Sequence, residues 1–534
     1  MRLVRSAEMK EMDRLTIQEL GVPGTVLMEN AARGAARGFL EHFDPPEGSR
    51  IVILCGRGNN GGDGYVIGRY LHGAGMKVTV VVLSELGKIA GDARVNLEII
   101  RRLGIEILEV PGAVEWARHT DLLRQADYLV DGILGTGLHL EVKGFYRQVI
   151  EEVNGLGRPV MSVDIPSGLN ADTGQIMGAA VQADLTVTFG FPKVGQVVFP
   201  GAEVTGRLIR VDIGIPREVA ARVPAQIHLL EPDAFRDLLT AEARDIHKGG
   251  RGHLLVLAGS TGKTGAATLT ALGGLRAGAG LVTLGIPGGL NPILENKLTE
   301  AMTAPLPETP EGTLSMQAEG AIQRLWEGKT ALALGPGLST HPETSALVRR
   351  IVASCPLPMV VDADGLNALS GDLEVLSACR ERVILTPHPG EMARLSGLRN
   401  AEVQADRVGV AAAFVRSRGS CLVLKGARTL IAEPGGQIHV NPTGNRALAS
   451  GGTGDVLTGL ISGFLARGWP LVKAASGGVY LQGLAADYLA EDMGQSGVLA
   501  GELLDAVPFL CSALADGEWP LQGLPPHADL YQPW

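Results

Sequence analysis

Short, unbroken apolar runs recur along the chain, most of them ending in a glycine-rich turn. RIVILCG, KVTVVVL, YLVDGILG, PVMSVDIPSG, LTVTFG and RLIRVDIG mark the first half. Runs of this length without polar alternation suit strands covered on both faces, as in a parallel sheet. Between them GYVIGRYLHGAG and ARVNLEIIRRLG space their apolar residues as helices do. The pattern predicts repeated βαβ units, with sites at the C-terminal ends of strands. It lapses through REVAARVPAQIHLLEPDAFRDLLT, then resumes with HLLVLAGS, LVTLGIP, ALALGPG, PMVVDADG, RVILTPHPG and CLVLKG. Two long helical segments follow, DVLTGLISGFLARG and VKAASGGVYLQGLAADYLAED. The lapse puts a boundary near residue 225, giving one α/β domain over 1–218 and a second over 228–515. The halves share a class but not a motif order, so they are not a repeat. The tail beyond about residue 516 is expected to be irregular.

Composition narrows this picture. A chain of 534 residues exceeds what one core usually serves, and 45% hydrophobic content is that of a globular protein. Aromatics make up only 4%, against 73 glycines, so many tight turns are expected. Lys and Arg number 47 against 57 Asp and Glu, a net charge of −10 that argues against a general nucleic-acid binder. The opening MRLVRSAEMKEMDRL turns charged before a signal-peptide core could form, and no apolar run is long enough for a membrane helix. Cys55, Cys355, Cys379, Cys421 and Cys511 are odd in number and scattered, which suits reduced thiols in a cytoplasmic protein.

HLLVLAGSTGKTG, residues 253–265, ends like a phosphate-binding P-loop, but Leu257 stands where the opening glycine belongs. A strand and a glycine turn opening a helix is the reading that stands. In the first half GRGNNGGDG follows a strand and precedes a helix, where backbone N–H groups can meet an anion. It departs from the dinucleotide fingerprint. Asp131 in VDGILGTGLHLE, and Asp164 and Ser167 in SVDIPSGLNADTG, stand at two further strand ends. Asn60, Asp131 and Ser167 are hard oxygen donors able to share a cation, while a helix cap is the structural alternative for each carboxylate.

NNGGDG, DGILGTG, SVDIPSG and ADLTVTFGFPKVG together resemble the NAD(P)H-hydrate epimerase family over about residues 1–215. The resemblance implies a Rossmann-like α/β sandwich that binds hydrated nicotinamide dinucleotide beside a potassium ion. It implies potassium on Asn60, Asp131 and Ser167. Nucleotide contacts would come from Asn59, Asn60, Gly61, Gly62 and Asp63, and from Gly135, Thr136, Gly137, Leu138, His139, Leu140 and Glu141. Asp164 would contact the substrate and take the acid–base role, since exchange at the hydrated carbon moves protons.

In the second half GNRALASGGTGDVLTG places Gly451, Gly452, Thr453 and Gly454 in a turn, with Asp455 opening an apolar helix. Such a turn can hold phosphate while the helix dipole favours the carboxylate; a plain helix-start aspartate is the alternative. GPGLS, DADGLNAL, TPHPGEMARL and LKGARTL add further strand-end turns. HKGGRGHLLVLAGS, GAGLVT, GPGLS, TPHPGE, LKG and GGTGD together resemble the ADP-dependent NAD(P)H-hydrate dehydratases, of the ribokinase-like group, over about residues 230–515. The resemblance implies substrate contacts from Ala266, Gly337, His388 and Asp455. It implies ADP contacts from Lys425, Gly426, Ala427, Arg428, Thr429 and Gly454. Phosphoryl transfer to the ring hydroxyl, with Asp455 as base and Mg²⁺ shielding phosphate charge, would create a leaving group.

The expectation is a bifunctional repair enzyme that epimerises hydrated NAD(P)H and dehydrates the S form with ADP, giving AMP and phosphate. Small-molecule substrates, no nucleic acid, no membrane and a homo-oligomer complete it. The alternative is a ribokinase-like, ATP-dependent small-molecule kinase whose N-terminal half is a nucleotide-binding regulatory module.

Overall fold

The computed structural model describes residues 1–240 and 245–518. The chain divides into two compact units, parting between Ile227 and His228, with Met1 packed on the second, where its amino group donates to Leu229 O at 3.2 Å.

The first unit is built on seven strands: β1 (Arg50–Cys55), β2 (Lys77–Val82), β3 (Glu106–Glu109), β4 (Tyr128–Gly132), β5 (Val160–Val163), β6 (Leu185–Phe189) and β7 (Arg207–Val211). They run β3-β2-β1-β4-β5-β6-β7, each pair parallel. Alternate side chains feed opposite faces. Ile51, Ile53 and Cys55 join a core with α1 (Gly24–Phe43), α2 (Asn59–Gly73) and α3 (Gly91–Arg102). Val52 and Leu54 join another with α4 (Gly144–Gly155). Burial on both faces is why these runs show no polar alternation. Val219 and Val223 also pack into the first of these cores, beyond residue 218. The chain leaves β1 toward β2 and β3, then returns to place β4 on the other side of β1. The crevice of such an open sheet lies at that reversal, outside the C-terminal strand ends.

The second unit repeats the logic with another order. Its strands are β8 (His253–Leu257), β9 (Leu281–Pro287), β10 (Met302–Leu306), β11 (Ala331–Leu334), β12 (Met359–Val361), β13 (Val383–Leu385), β14 (Cys421–Leu424), β15 (Leu430–Ala432) and β16 (Ile438–Val440). They run β16-β15-β14-β13-β12-β11-β8-β9-β10, with β8 to β14 parallel and β15 and β16 antiparallel. The helices used below are α5 (Thr264–Arg276), α6 (Pro389–Ser396), α7 (Arg407–Arg418), α8 (Thr453–Ala466), α9 (Leu471–Met493) and α10 (Ala500–Asp516). Leu254 and Val256 of β8 share a core with α5, α8, α9 and α10. The reversal falls between β8 and β11. The α/β class expected from the pattern is therefore what both units show. The expected irregular tail lies almost wholly outside the described residues.

Candidate functional sites

GRGNNGGDG becomes the turn after β1 and the first turn of α2. Gly61 is required there: a Cβ would stand 2.1 Å from Gly56 O. The close approach lays Asn59 to Asp63 across the strand ends. Asn60 Nδ2 donates to Leu134 O at 3.1 Å. Ser167 Oγ donates to the same carbonyl at 3.2 Å and accepts from Leu134 N at 2.8 Å. Asp131, fully buried in β4, accepts from Ser162 Oγ and Ser167 N, each at 2.8 Å, and from the Ser167 hydroxyl and Ile133 N. Burial pushes its carboxyl up, while these hydrogen bonds hold it down. The Asp131 carboxylate, the Ser167 hydroxyl and the Leu134 carbonyl, on which the Asn60 amide closes, have the hard-donor chemistry that a weakly charged cation accepts. Gly135 lies against Asn60, where a Cβ would sit 3.4 Å from that of Asn60. From there the segment through Glu141 runs outward, with Gly137, His139, Leu140 and Glu141 exposed.

Asp164 follows β5 with a left-handed backbone, φ +63, a conformation held only where surroundings over-determine it. Gln196 Nε2 grips its carbonyl at 2.7 Å. Its carboxylate takes the Lys193 ammonium and Phe189 N at 3.0 Å. Lys193 is fully buried and also donates to Thr188 Oγ1 at 2.9 Å and Phe189 O at 3.1 Å. Val4 brackets this lysine, its N–H on Pro192 O at 2.9 Å and its carbonyl accepting from Val194 N at 3.0 Å. Two more carboxyls share the field. Burial pushes Asp63 well up, with Asp164 and Asp13 adding and Lys193 opposing. Burial likewise carries Asp13 up to about 6, and its Oδ1 has no hydrogen-bond partner among the described residues. Lys193 and Asp13 were not singled out in the sequence. FGFPKVG was the available signal for the first; nothing in EMDRL marks the second.

In the second unit, the strand ends of β8, β11, β12, β13 and β14 carry the turns read from the sequence. Lys263 closes the β8 turn and pairs with Asp364 at 2.9 Å. Gly337, at φ +67, lies on that turn: a Cβ there would be 3.1 Å from Ala266 Cβ. His388 caps α6, accepting from Gly390 N at 3.0 Å, with its ring half-exposed. Lys425, instead of the solvated strand end common for lysine, points inward to Asp362 at 2.6 Å. Burial opposes its charge, yet Asp362, Glu391 and Asp455 together carry the ammonium above its ordinary value. The second Asp362 oxygen accepts from Thr458 Oγ1 of α8 at 2.8 Å. Gly452 caps α8 with φ +93, and a Cβ on Gly454 would meet Lys425 Nζ at 3.5 Å.

Asp455 occupies the first turn of α8. The helix dipole was expected to favour its charge. Burial, with Asp362 adding and Lys425 opposing, instead lifts it to about 6, because desolvation and a like charge outweigh a half-charge dipole. Asp362, Glu391 and Thr458 belong to this cluster but were not singled out; DADG and HPGE were the visible traces. Among the described residues no three of His, Cys, Asp and Glu group to hold a metal.

Two parallel-sheet units, each with buried charges gathered at its crevice, define a two-site enzyme of the nucleotide-handling α/β class. Residues 24–195 match the YjeF-related protein N-terminus family, and residues 254–508 match the NAD(P)H-hydrate dehydratase family. The bifunctional NAD(P)H-hydrate repair enzyme Nnr of Moorella thermoacetica is 46% identical over 518 residues, 97% of this chain and 98% of that protein. The like-named protein of Thermofilum pendens is 38% identical over 516 residues, 97% of each. A crystal structure of the ADP/ATP-dependent NAD(P)H-hydrate dehydratase from Bacillus subtilis, co-crystallised with ATP and Mg²⁺, is 31% identical. It covers 55% of this chain and all of that one, with a TM-score of 0.45. The chain belongs to the bifunctional NAD(P)H-hydrate repair enzyme family. That membership favours the repair reading over the small-molecule kinase.

Proposed function

We propose that the first unit interconverts the R and S epimers of hydrated NADH and NADPH, and that the second dehydrates the S epimer with ADP. The observation that supports this most is that each unit carries its own buried charged cluster at its own crevice: Asp164 with Lys193, and Asp455 with Asp362 and Lys425. In the first, Asn59 to Asp63 and Gly135 to Glu141 embrace the dinucleotide, and Asp164 moves the proton at the hydrated carbon. Asn60, Asp131 and Ser167 would hold a potassium ion, which would supply positive charge to the loops around the substrate. In the second, Ala266, Gly337 and His388 position the hydrated ring, and Lys425 to Thr429 with Gly454 hold ADP. Asp455 takes the proton of the ring hydroxyl as the β-phosphoryl group moves onto that oxygen and AMP departs; the C–O bond then breaks to release phosphate, and the adjacent ring carbon loses its proton to solvent as the double bond is restored. Charge neutralisation on the phosphates there would be supplied by magnesium when bound. A base near 6 is mostly ionised at neutral pH yet basic enough to accept the proton. We assign the chain to the cytoplasm, with its scattered cysteines as reduced thiols, and as a homo-oligomer.

The test is to incubate acid-hydrated NADH, as mixed epimers, with ADP and the full chain, with and without potassium. Recovery of reduced-nicotinamide absorbance from both epimers, with AMP and phosphate formed in step, is the expected result. Recovery that requires ATP and yields ADP, or phosphorylation of an unrelated alcohol without recovery, overturns it.

A further inference from the structure

Arg407 opens α7, directly beneath the turn from β14 to β15. Its Nη1 donates to Ala427 O at 2.6 Å, and its Nη2 to Leu424 O at 3.1 Å and Lys425 O at 3.3 Å. These three carbonyls are its hydrogen-bond partners among the described residues; its Nε is buried with none. The position is a poor one for a cation. Burial pulls the guanidinium down to about 10, and the positive end of a helix repels it. Local preference does not explain the residue; the backbone it holds does.

In a trans peptide the C=O of one residue and the N–H of the next point in opposite directions. Turning the carbonyls of Lys425 and Ala427 onto the guanidinium therefore turns the N–H groups of Gly426 and Arg428 to the other side. Gly426 has φ +140 and Arg428 has φ +56, and a Cβ on Gly426 would stand 3.0 Å from Nη2. Successive N–H groups presented from such a left-handed turn form a concavity suited to an anion. Thr429 Oγ1 closes the turn on Gly426 O at 3.0 Å.

We infer that Arg407 is the positioning residue of the nucleotide loop. By gripping the carbonyls of Leu424, Lys425 and Ala427 it presents the N–H groups of Gly426 and Arg428 to a phosphate of a nucleoside diphosphate. The inference rests on Lys425–Thr429 being that loop. A guanidinium reaches three carbonyls at once because its donors form a planar fork; an ammonium at the end of a lysine does not.

The experiment uses the full chain as parent, Arg407→Lys and Arg407→Met. ADP affinity is measured by calorimetry, the KM for ADP and for the S hydrate separately, and epimerisation serves as a control in the same molecule. Both variants are expected to weaken ADP binding about tenfold or more, the scale of lost hydrogen bonds to a charged group. The KM for the hydrate is expected to stay within about twofold of the parent, with epimerisation unchanged. ADP affinity at the parent level in a folded variant overturns the inference, as does an equal rise in both KM values. If Arg407→Met fails to fold, Arg407→Lys decides. A parent that binds no ADP overturns the loop assignment and this inference together, whereas a parent that binds it and variants that bind as well remove Arg407 alone.

Discussion

Asp455 and Asp164 face different neighbours. Asp455 is half-buried beside Asp362 and lifted to about 6; Asp164 is pinned by a buried ammonium. Ionised Asp455 is the active base, so dehydration should fall as pH drops through about 6. Asp455→Asn should lose that acidic limb together with about 10²-fold in rate, the scale of a lost general base. ADP binding and epimerisation should remain, as calorimetry and the epimer ratio will show. Stability separates this from misfolding. A carboxyl raised on folding contributes stability below its unfolded value, and loses it as pH rises through about 6. Asp455→Asn should therefore melt at or above the parent at neutral pH; a lower melting temperature would count against the argument. At Asp164 the expectation differs. Asp164→Ala should abolish epimerisation and also strand the Lys193 charge, at roughly 3 kcal/mol for a broken buried pair. Adding Lys193→Met should restore most of the melting temperature and none of the rate. Parent-like epimerisation in Asp164→Ala would remove it from the chemistry.

The elements explain what a sequence discloses of such sites. Central strands such as β1, β4 and β8 were legible because burial on both faces leaves a continuous apolar run, IVILC, YLV and LLVL, with polar residues only toward the ends. Strand β3, Glu106–Glu109, was not: it lies at the sheet edge with both glutamates exposed, and its pattern carries no core signal. β10 contains Pro305 and lies at the edge of its own sheet, and β15 and β16 are three residues each. Glycine turns at strand ends pointed to Asn60, Asp131, Ser167 and Asp455, since turn chemistry is local. Asp13 and Arg407 were silent because a charged residue looks the same in sequence whether solvated or buried, and Lys193 and Asp362 were marked only by the turns that hold them, FGFPKVG and DADG. The close-packed turn at Gly61 gives the element-scale prediction. Gly61→Ala should push the first turn of α2 off Gly56 O and drag Asn60 from Leu134. Epimerisation and its response to potassium should fall at least about tenfold while dehydration is untouched, a near-ångström displacement being enough for such losses. Unchanged potassium response would show that Asn60 is held by something else.

At the scale of the molecule, each unit has its own sheet, its own cores and its own cluster of charges. Fragments 1–227 and 228–534 should each melt cooperatively, the first keeping epimerisation and the second ADP-dependent dehydration. The limit at Ile227 is chosen because Val219 and Val223 complete the first core; a fragment ending at residue 218 should melt lower by several degrees. Absence of cooperative melting in both fragments would show that neither core suffices alone. Carriage of both units on one polypeptide also has a kinetic consequence. Each translation event supplies one copy of each active centre, so their ratio cannot drift with expression level. Removal of one epimer then draws the other through by mass action, and throughput is tuned only by the turnover numbers written into the two halves.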